Sequence, residues 1–282
     1  MSAAEPLLRF SRVGKEYGSH IVLESISTQV QEGEFVSLVG TSGCGKSTFL
    51  KMLLGTEQPS SGEAFLGGKP LAAEPGPDRG IVFQKYSVFP HLTVQQNVLA
   101  ALEFSRSPWL GKLFGGAKKA ALEEVALWLD AVGLSRAKDL YPHSLSGGMQ
   151  QRLAIAQALI KQPRILLLDE PFGALDPGIR KDMHQLLLRL WSEHKLTVFM
   201  VTHDLHEGFY LGTRLWVFDK TRHDPQAPDR YGSTITYDLT LHSNNRQAVQ
   251  AIAEQLDKAD VARMELSPAP AASNSTLGEP HV

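Results

Sequence analysis

Two apolar patterns alternate along this chain. Short apolar runs end abruptly at glycine or at charge, and between them lie stretches whose apolar residues recur every three or four positions. The runs Phe35 to Val39, Gly80 to Phe83, Ile165 to Leu168 and Thr197 to Val201 read as buried strands. Leu7 to Val13 and Ile21 to Val30 also read as strands, with Tyr17-Gly18-Ser19 looping between them. Ser47 to Leu54 is apolar on one side and stops at Gly55, a helix and its end. Thr93 to about Asp139 is helical, with Leu122, Val125, Ala126 and Leu129 at helical spacing and Gly133 as a stop. Ser105 to Gly116, with Pro108 and several glycines, breaks that stretch as a loop. Met149 to Ile160 forms a further helix, and Met183, Leu186, Leu187, Leu190 and Trp191 mark one face of a long amphipathic one. Strands alternating with helices predict an α/β fold with a parallel sheet covered on both faces.

The texture changes after Phe218. Asp219 to Tyr231 is charged and Pro-containing, an exposed loop. Thr234 to Leu241 predicts one late strand and Arg246 to Leu256 one late helix. Ser267 to Val282, rich in Pro, Ala and Ser, reads as a disordered tail. The expected organisation is a main domain over 1–218, a C-terminal extension over 219–266 and a tail over 267–282. No internal repeat is visible.

Composition narrows the classes. The 282 residues are 43% hydrophobic and 21% charged, a globular balance ample for a core. The net charge of −2 offers no basic surface for nucleic acid. Cys44 stands alone, so no internal disulfide can form, which fits a reducing compartment. No apolar run approaches the roughly 20 residues that span a bilayer, and the first residues show no secretion signal.

The segment Gly40-Thr41-Ser42-Gly43-Cys44-Gly45-Lys46-Ser47-Thr48 lies between a strand and a helix. Small residues there let backbone N–H groups wrap an anion, and the positive end of the helix dipole faces it. Lys46 can reach the β- and γ-phosphates of a nucleotide and Ser47 can ligate Mg²⁺. The strand Ile165 to Leu168 delivers Asp169 and Glu170 at its C-terminal end, where ligands of α/β sheets gather. Asp169 is the candidate Mg²⁺ holder and Glu170 the general base for an attacking water. Far along the chain, Leu145-Ser146-Gly147-Gly148-Met149-Gln150-Gln151-Arg152 places a hydroxyl and two glycines before another helix. One nucleotide needs one phosphate cradle of this kind, so the second suggests a nucleotide held by a partner subunit.

These motifs, in this order, resemble the nucleotide-binding subunit of an ATP-binding cassette (ABC) transporter, from about Leu7 to Phe218. The octet matches the family signature, with Met149 where glutamine is common. The resemblance implies a phosphate-loop ATPase core with a parallel sheet, an antiparallel β subdomain in the N-terminal part and an inserted helical subdomain at about 90–160. It implies that Tyr17 stacks on adenine, that Gln84 senses Mg²⁺ and the attacking water, and that His203 contacts the γ-phosphate. Gly173-Ala174-Leu175-Asp176 resembles the dimer-contact loop, with Gly173 where serine is frequent. ATP and Mg²⁺ would be sandwiched between two copies, each site combining Lys46, Ser47, Asp169, Glu170 and His203 of one copy with Ser146 and Gly148 of the other. The implied partners are integral membrane permease subunits, docking near Phe89-Pro90-His91, on the cytoplasmic face of the cell membrane.

The runs Phe83 to His91 and Asp169 to Pro177 resemble bacterial importer ATPases of the nitrate, sulfonate and taurine group, which implies a solute-binding protein as an indirect partner. The alternatives are an exporter subunit and a non-transport ABC ATPase acting in DNA repair or translation. Too few residues separate Gln84 from Leu145 for the long coiled coil of the repair members, and the charge argues against nucleic acid. His203 and His206 lack a recognised metal-ligand spacing, so His206 and Glu207 are expected on a solvated helix face. Cys44, beside Lys46 and a helix start, is expected to be a reactive thiol that bound ATP protects.

Overall fold

The computed structural model describes residues 5–84, 88–107, 111–222, 224, 226–227 and 229–241. The late helix over Arg246 to Leu256 and the tail from Ser267 lie outside the described residues, as does Pro108.

Two sheets form the frame. The antiparallel sheet has the order β2-β1-β4-β5, with β1 Leu8–Tyr17, β2 His20–Val30, β4 Ser61–Leu66 and β5 Lys69–Pro70. The second sheet has six strands. β3 (Phe35–Gly40), β6 (Arg79–Val82), β7 (Ile165–Asp169), β8 (Thr197–Val201) and β9 (Arg214–Asp219) run parallel in the order β9-β3-β8-β7-β6. β10 (Thr234–Thr240) joins the β9 edge antiparallel, from Thr234 opposite Asp219 to Thr240 opposite Arg214.

The parallel strands are buried on both faces, and the pleat sorts their side chains. Ile165, Leu167, Phe199 and Val201 join Val36 and Leu38 in one core. Leu166, Leu168, Val198 and Met200 join Phe35 in the other. Alternate residues of one strand therefore serve two cores, which is why these strands read as unbroken apolar runs. The first core closes over α1 (Lys46–Leu54), whose Phe49 ring meets Phe10 at 5.2 Å and Phe218 at 5.5 Å between centroids.

The second core continues into a helical insert. α2 (Val94–Arg106) starts with a capping box, in which Thr93 and Gln96 exchange side-chain to backbone hydrogen bonds. α3 (Gly115–Ala131) and α4 (Gly147–Leu159) pack against it through Val98, Leu102, Val125, Leu129, Leu153 and Ile155. α5 (Pro177–His194) and α6 (Leu205–Leu211) complete the helices.

Several sequence expectations need correction. Tyr17 is the last residue of β1 rather than a loop residue. The strands β4, β5 and β9 are additions to the expected set. β4 and β5 are largely solvent-facing and carry no apolar run, so periodicity cannot mark them. β9 is different: Leu215, Trp216, Val217 and Phe218 are fully buried, and the run is visible in the sequence. Cys44 is buried among the core residues and only 3% exposed, so an alkylating reagent reaches it only if the loop opens.

Candidate functional site

The C-terminal ends of four parallel strands converge at one edge of the sheet, where α/β folds hold their ligands. β3 ends at Gly40, and the loop to α1 begins there. β7 ends at Asp169, Gln84 follows β6, and His203 follows β8.

The loop is built by close backbone approach. Gly40 has φ 144°, and a Cβ there would lie 2.2 Å from the carbonyl oxygen of Phe218. Only glycine fits. Lys46 folds back along the loop, and its ammonium donates to the carbonyls of Gly40 at 2.7 Å and Thr41 at 2.8 Å. An open hollow above the loop is lined by Ser42, Gly43, Gly45, Lys46, Ser47 and Thr48, with Glu170 facing them. His20 and Val22 line the same hollow, outside the predicted set; nothing in a lone histidine at a strand start marks it. His20 Nδ1 lies 2.6 Å from Asp229 Oδ1.

Two carboxylates face the loop with different environments. Asp169 Oδ1 accepts a 3.0 Å hydrogen bond from Ser47 Oγ. Burial raises the Asp169 pKa above the ordinary carboxylate value; the Ser47 hydroxyl pulls the other way, and the Glu170 charge adds to the rise. A hydroxyl and a carboxylate oxygen at this spacing are hard donors that suit Mg²⁺. Glu170 Oε2 accepts from Gln84 Nε2 at 3.2 Å and lies 3.7 Å from His203 Nδ1. Glu170 has φ 47°, a left-handed backbone that costs a non-glycine residue about 1–3 kcal/mol. Its own N–H donates to Val201 O at 3.0 Å, which helps hold it there.

His203 is well exposed, yet the turn that carries it is pinned from behind. Thr202 Oγ1 donates to Glu207 Oε2 at 2.6 Å and accepts from the N–H of Asp204 at 3.1 Å. The other Glu207 oxygen lies 2.7 Å from His184 Nε2 of α5. Glu207 is only 7% exposed, so the expected solvated helix face is wrong for this residue, although His206 does face solvent. Glu207 and Gly208 turn α6 inward, a contact that local spacing does not reveal. Among the described residues no group of three or more His, Cys, Asp or Glu side chains is placed to hold a metal ion.

Two predicted elements are not part of the lining of this hollow. Tyr17 is 45% exposed, and the Lys15 ammonium sits over its ring at 4.8 Å from the centroid. Burial and the neighbouring Glu57 raise its phenol pKa. Ser146 caps α4, its Oγ accepting from Met149 N at 3.4 Å, and Ser146 and Gly147 face solvent. Gly148 packs on Ile179, where a Cβ would lie 2.5 Å from its Cγ2. No residue of the octet lines the hollow over the phosphate loop.

A parallel sheet whose edge presents a glycine loop, a lysine, a hydroxyl and two carboxylates defines a nucleotide-binding protein of the phosphate-loop class. The particular family follows from sequence similarity: residues 23–173 match the ABC transporter family model, and the chain belongs to that family. It is 43% identical over 205 residues to the nitrate import ATP-binding protein NrtD of Synechocystis sp., covering 73% of each chain. It is 42% identical over 212 residues to the bicarbonate transport ATP-binding protein CmpD of the same organism, covering 74% of this chain and 72% of the relative. Among solved structures, the ATP-binding cassette MJ0796, a dimer in a post-hydrolysis state bound to ADP and Pi, superposes with TM-score 0.67 at 30% identity. That match covers 84% of this chain and 99% of the other. The antiparallel sheet, the mainly parallel sheet and the helical insert are the ABC cassette fold, and the chain is an ABC ATPase, hydrolysing ATP to drive transport. No helix among the described residues is long and apolar enough to cross a membrane.

Proposed function

We propose that this chain is the ATPase subunit of an importer for a small solute, of the chemical kind represented by nitrate, bicarbonate, sulfonates or taurine. The ATPase part is carried by Glu170, which faces Lys46 and Ser47 across the hollow and meets Gln84 and His203; the import part is carried by the similarity to the nitrate and bicarbonate relatives.

In this reading Lys46 and the amides from Thr41 to Thr48 hold the phosphates of ATP. Ser47 and Asp169 would hold Mg²⁺, which supplies charge neutralisation at the phosphate oxygens when bound. Gln84 orients the water that Glu170 deprotonates. The water oxygen attacks the γ-phosphorus, the bond to the β-phosphate oxygen breaks, ADP leaves, and the proton passes to Glu170. His203 faces the γ-phosphate, and Tyr17 offers its ring to adenine. Ser146 and Gly147 face outward, with Gly148 behind them at the start of α4, to cap the nucleotide of a second copy, which accounts for their distance from this chain's own hollow. Closing two copies around ATP and releasing them after hydrolysis drives the conformational switch.

The membrane-spanning part comes from separate permease subunits, which places this chain peripherally on the cytoplasmic face of the cell membrane. The exposed Phe89 and the groove beside it are the docking surface for them. A solute-binding protein delivers the cargo. The main domain over 1–218 carries the ATPase, and residues 219–266 an extension whose β10 seals the β9 edge.

Fractionation tests the reading. The chain is expected to sediment with membranes when its permease is co-expressed and to remain in the supernatant without it. Full-speed hydrolysis by a form locked as a single copy would overturn it.

A further inference from the structure

The C-terminal extension reaches back to the wall of the nucleotide hollow. The N–H of Ile21 donates to the carbonyl of Asp229 at 3.0 Å, the N–H of Ser233 to that of Val22 at 2.9 Å, and the N–H of Glu24 to that of Ser233 at 2.9 Å. Leu23 and Ser233 form a parallel bridge, and a Cβ at Gly232 would lie 2.9 Å from the carbonyl carbon of Leu23. The extension therefore runs backbone to backbone along the start of β2. The same stretch of β2 meets the phosphate loop: a Cβ at Gly45 would lie 2.9 Å from Val22 Cγ1.

His20 opens β2, lines the hollow and pairs with the extension, its Nδ1 2.6 Å from Asp229 Oδ1. A carboxylate accepts, so Nδ1 carries the proton, and Nε2 of the neutral ring is an acceptor. Among the described residues Nε2 has no hydrogen-bond partner. The two side chains are 44% and 63% exposed, so their pairing contributes little to stability. Its effect is to fix the tautomer and direction of the ring. That ring stands opposite Tyr17 in the β1–β2 register, and residues directly opposite in an antiparallel pair share a face. Tyr17 is the platform for the base and Ser42 to Thr48 are the cradle for the phosphates. The part of a nucleotide that joins base to phosphates is the ribose, and His20 neighbours both sites. Ribose hydroxyls donate, whereas ionised phosphate oxygens only accept, so an acceptor at Nε2 matches the sugar.

We propose that His20 Nε2 accepts a hydrogen bond from a ribose hydroxyl of the nucleotide held by this chain, and that Asp229 of the C-terminal extension is the positioning residue that sets the ring for it. This rests on the ATPase reading above and adds a sugar subsite, which favours ribonucleotides over their deoxy counterparts. It also makes the extension, which lies beyond the main domain, part of the wall of the nucleotide site.

Calorimetry on the full chain, with Mg²⁺ and ADP, 2′-deoxy-ADP or 3′-deoxy-ADP, tests this without hydrolysis. The wild type is expected to bind ADP roughly 2–10-fold more tightly than at least one deoxy analogue, the effect of one neutral hydrogen bond. His20→Ala is expected to lose that preference, with its ADP affinity falling to that of the wild type for the weaker analogue. Asp229→Ala is expected to lose most of the preference. Asp229→Asn, whose side-chain oxygen still accepts from Nδ1, is expected to keep it. A merely structural role for either residue would weaken all of these nucleotides alike. The proposal is overturned by equal wild-type affinities for ADP and both analogues, by a preference that survives in His20→Ala or is undiminished in Asp229→Ala, or by a uniform loss in either variant. In each of those cases the wild type still binds ADP, and the ATPase reading stands. A wild-type chain that binds none of these nucleotides removes that reading and this proposal with it.

Discussion

Ser47 Oγ donates to Asp169 Oδ1 at 3.0 Å, joining two residues that lie 122 positions apart. The bond ties the phosphate loop to the carboxylate strand, and burial sets its cost. The folded pKa of Asp169 is raised, so its favourable contribution is complete below the unfolded pKa and lost as pH rises through the folded one. Above the folded pKa the ionised carboxylate therefore destabilises the nucleotide-free fold. Asp169→Asn keeps an oxygen for the Ser47 hydroxyl and removes the charge. Its melting temperature is expected to exceed the wild type's above the folded pKa, with the gap closing as pH falls through it, while Mg²⁺-dependent turnover is lost. Thermal melts across pH check this, and a gap that does not change with pH would contradict it.

Glu170→Gln keeps the Gln84 contact in shape and removes the base. Turnover is expected to fall by roughly 10²–10⁴-fold, and an ATP-bound pair of copies to persist. Gel filtration with ATP and Mg²⁺ that shows only the single-copy species would count against the sandwich arrangement.

Glu207 holds Thr202 and His184 together behind His203. Glu207→Ala leaves both partners unpaired in a buried place and is expected to cost about 2–3 kcal/mol in urea unfolding. Thr202→Val, which removes both bonds made by the hydroxyl, is expected to lower turnover through the position of His203 while ATP affinity changes little. Equal losses in affinity and turnover would show that the network supports the fold without aligning His203.

Two glycines beside the site, Gly40 and Gly173, should behave oppositely. Gly40→Ala drives a Cβ to 2.2 Å from Phe218 O, on a backbone with φ 144°, and is expected to abolish nucleotide binding in calorimetry. A Cβ added at Gly173 would meet His203 Cε1 at 3.7 Å and Glu170 O at 3.8 Å, ordinary contacts. Gly173→Ser is expected to fold normally and to strengthen ATP-dependent pairing, read as a shift of the dimer midpoint to lower protein concentration.

Much of this molecule was legible because its signals are local. A buried parallel strand is a short apolar run whatever surrounds it, so β3, β7 and β8 were readable from composition alone. The loop at Gly40 to Thr48 and the pair Asp169–Glu170 were equally plain, since phosphate binding and cation ligation demand particular residue types at fixed spacing. The sequence also placed the Ser146 hydroxyl before a helix start, and the structure shows it capping α4.

Glu207 and Lys161 show what spacing cannot reveal. Glu207 follows two histidines in a polar stretch, and only the packing of α6 against α5 makes it a buried acceptor for Thr202 and His184. Lys161 is one of many lysines until the groove between β6 and the helical insert takes it into its lining. The linear order of residues determined the strand and helix types and the phosphate chemistry, because those depend on neighbours a few positions away. The burial of individual charges, the meeting of Gln84 with Glu170 and the direction of each pKa shift were decided by the tertiary structure, because desolvation and Coulomb energy depend on distances through space between groups far apart in the chain.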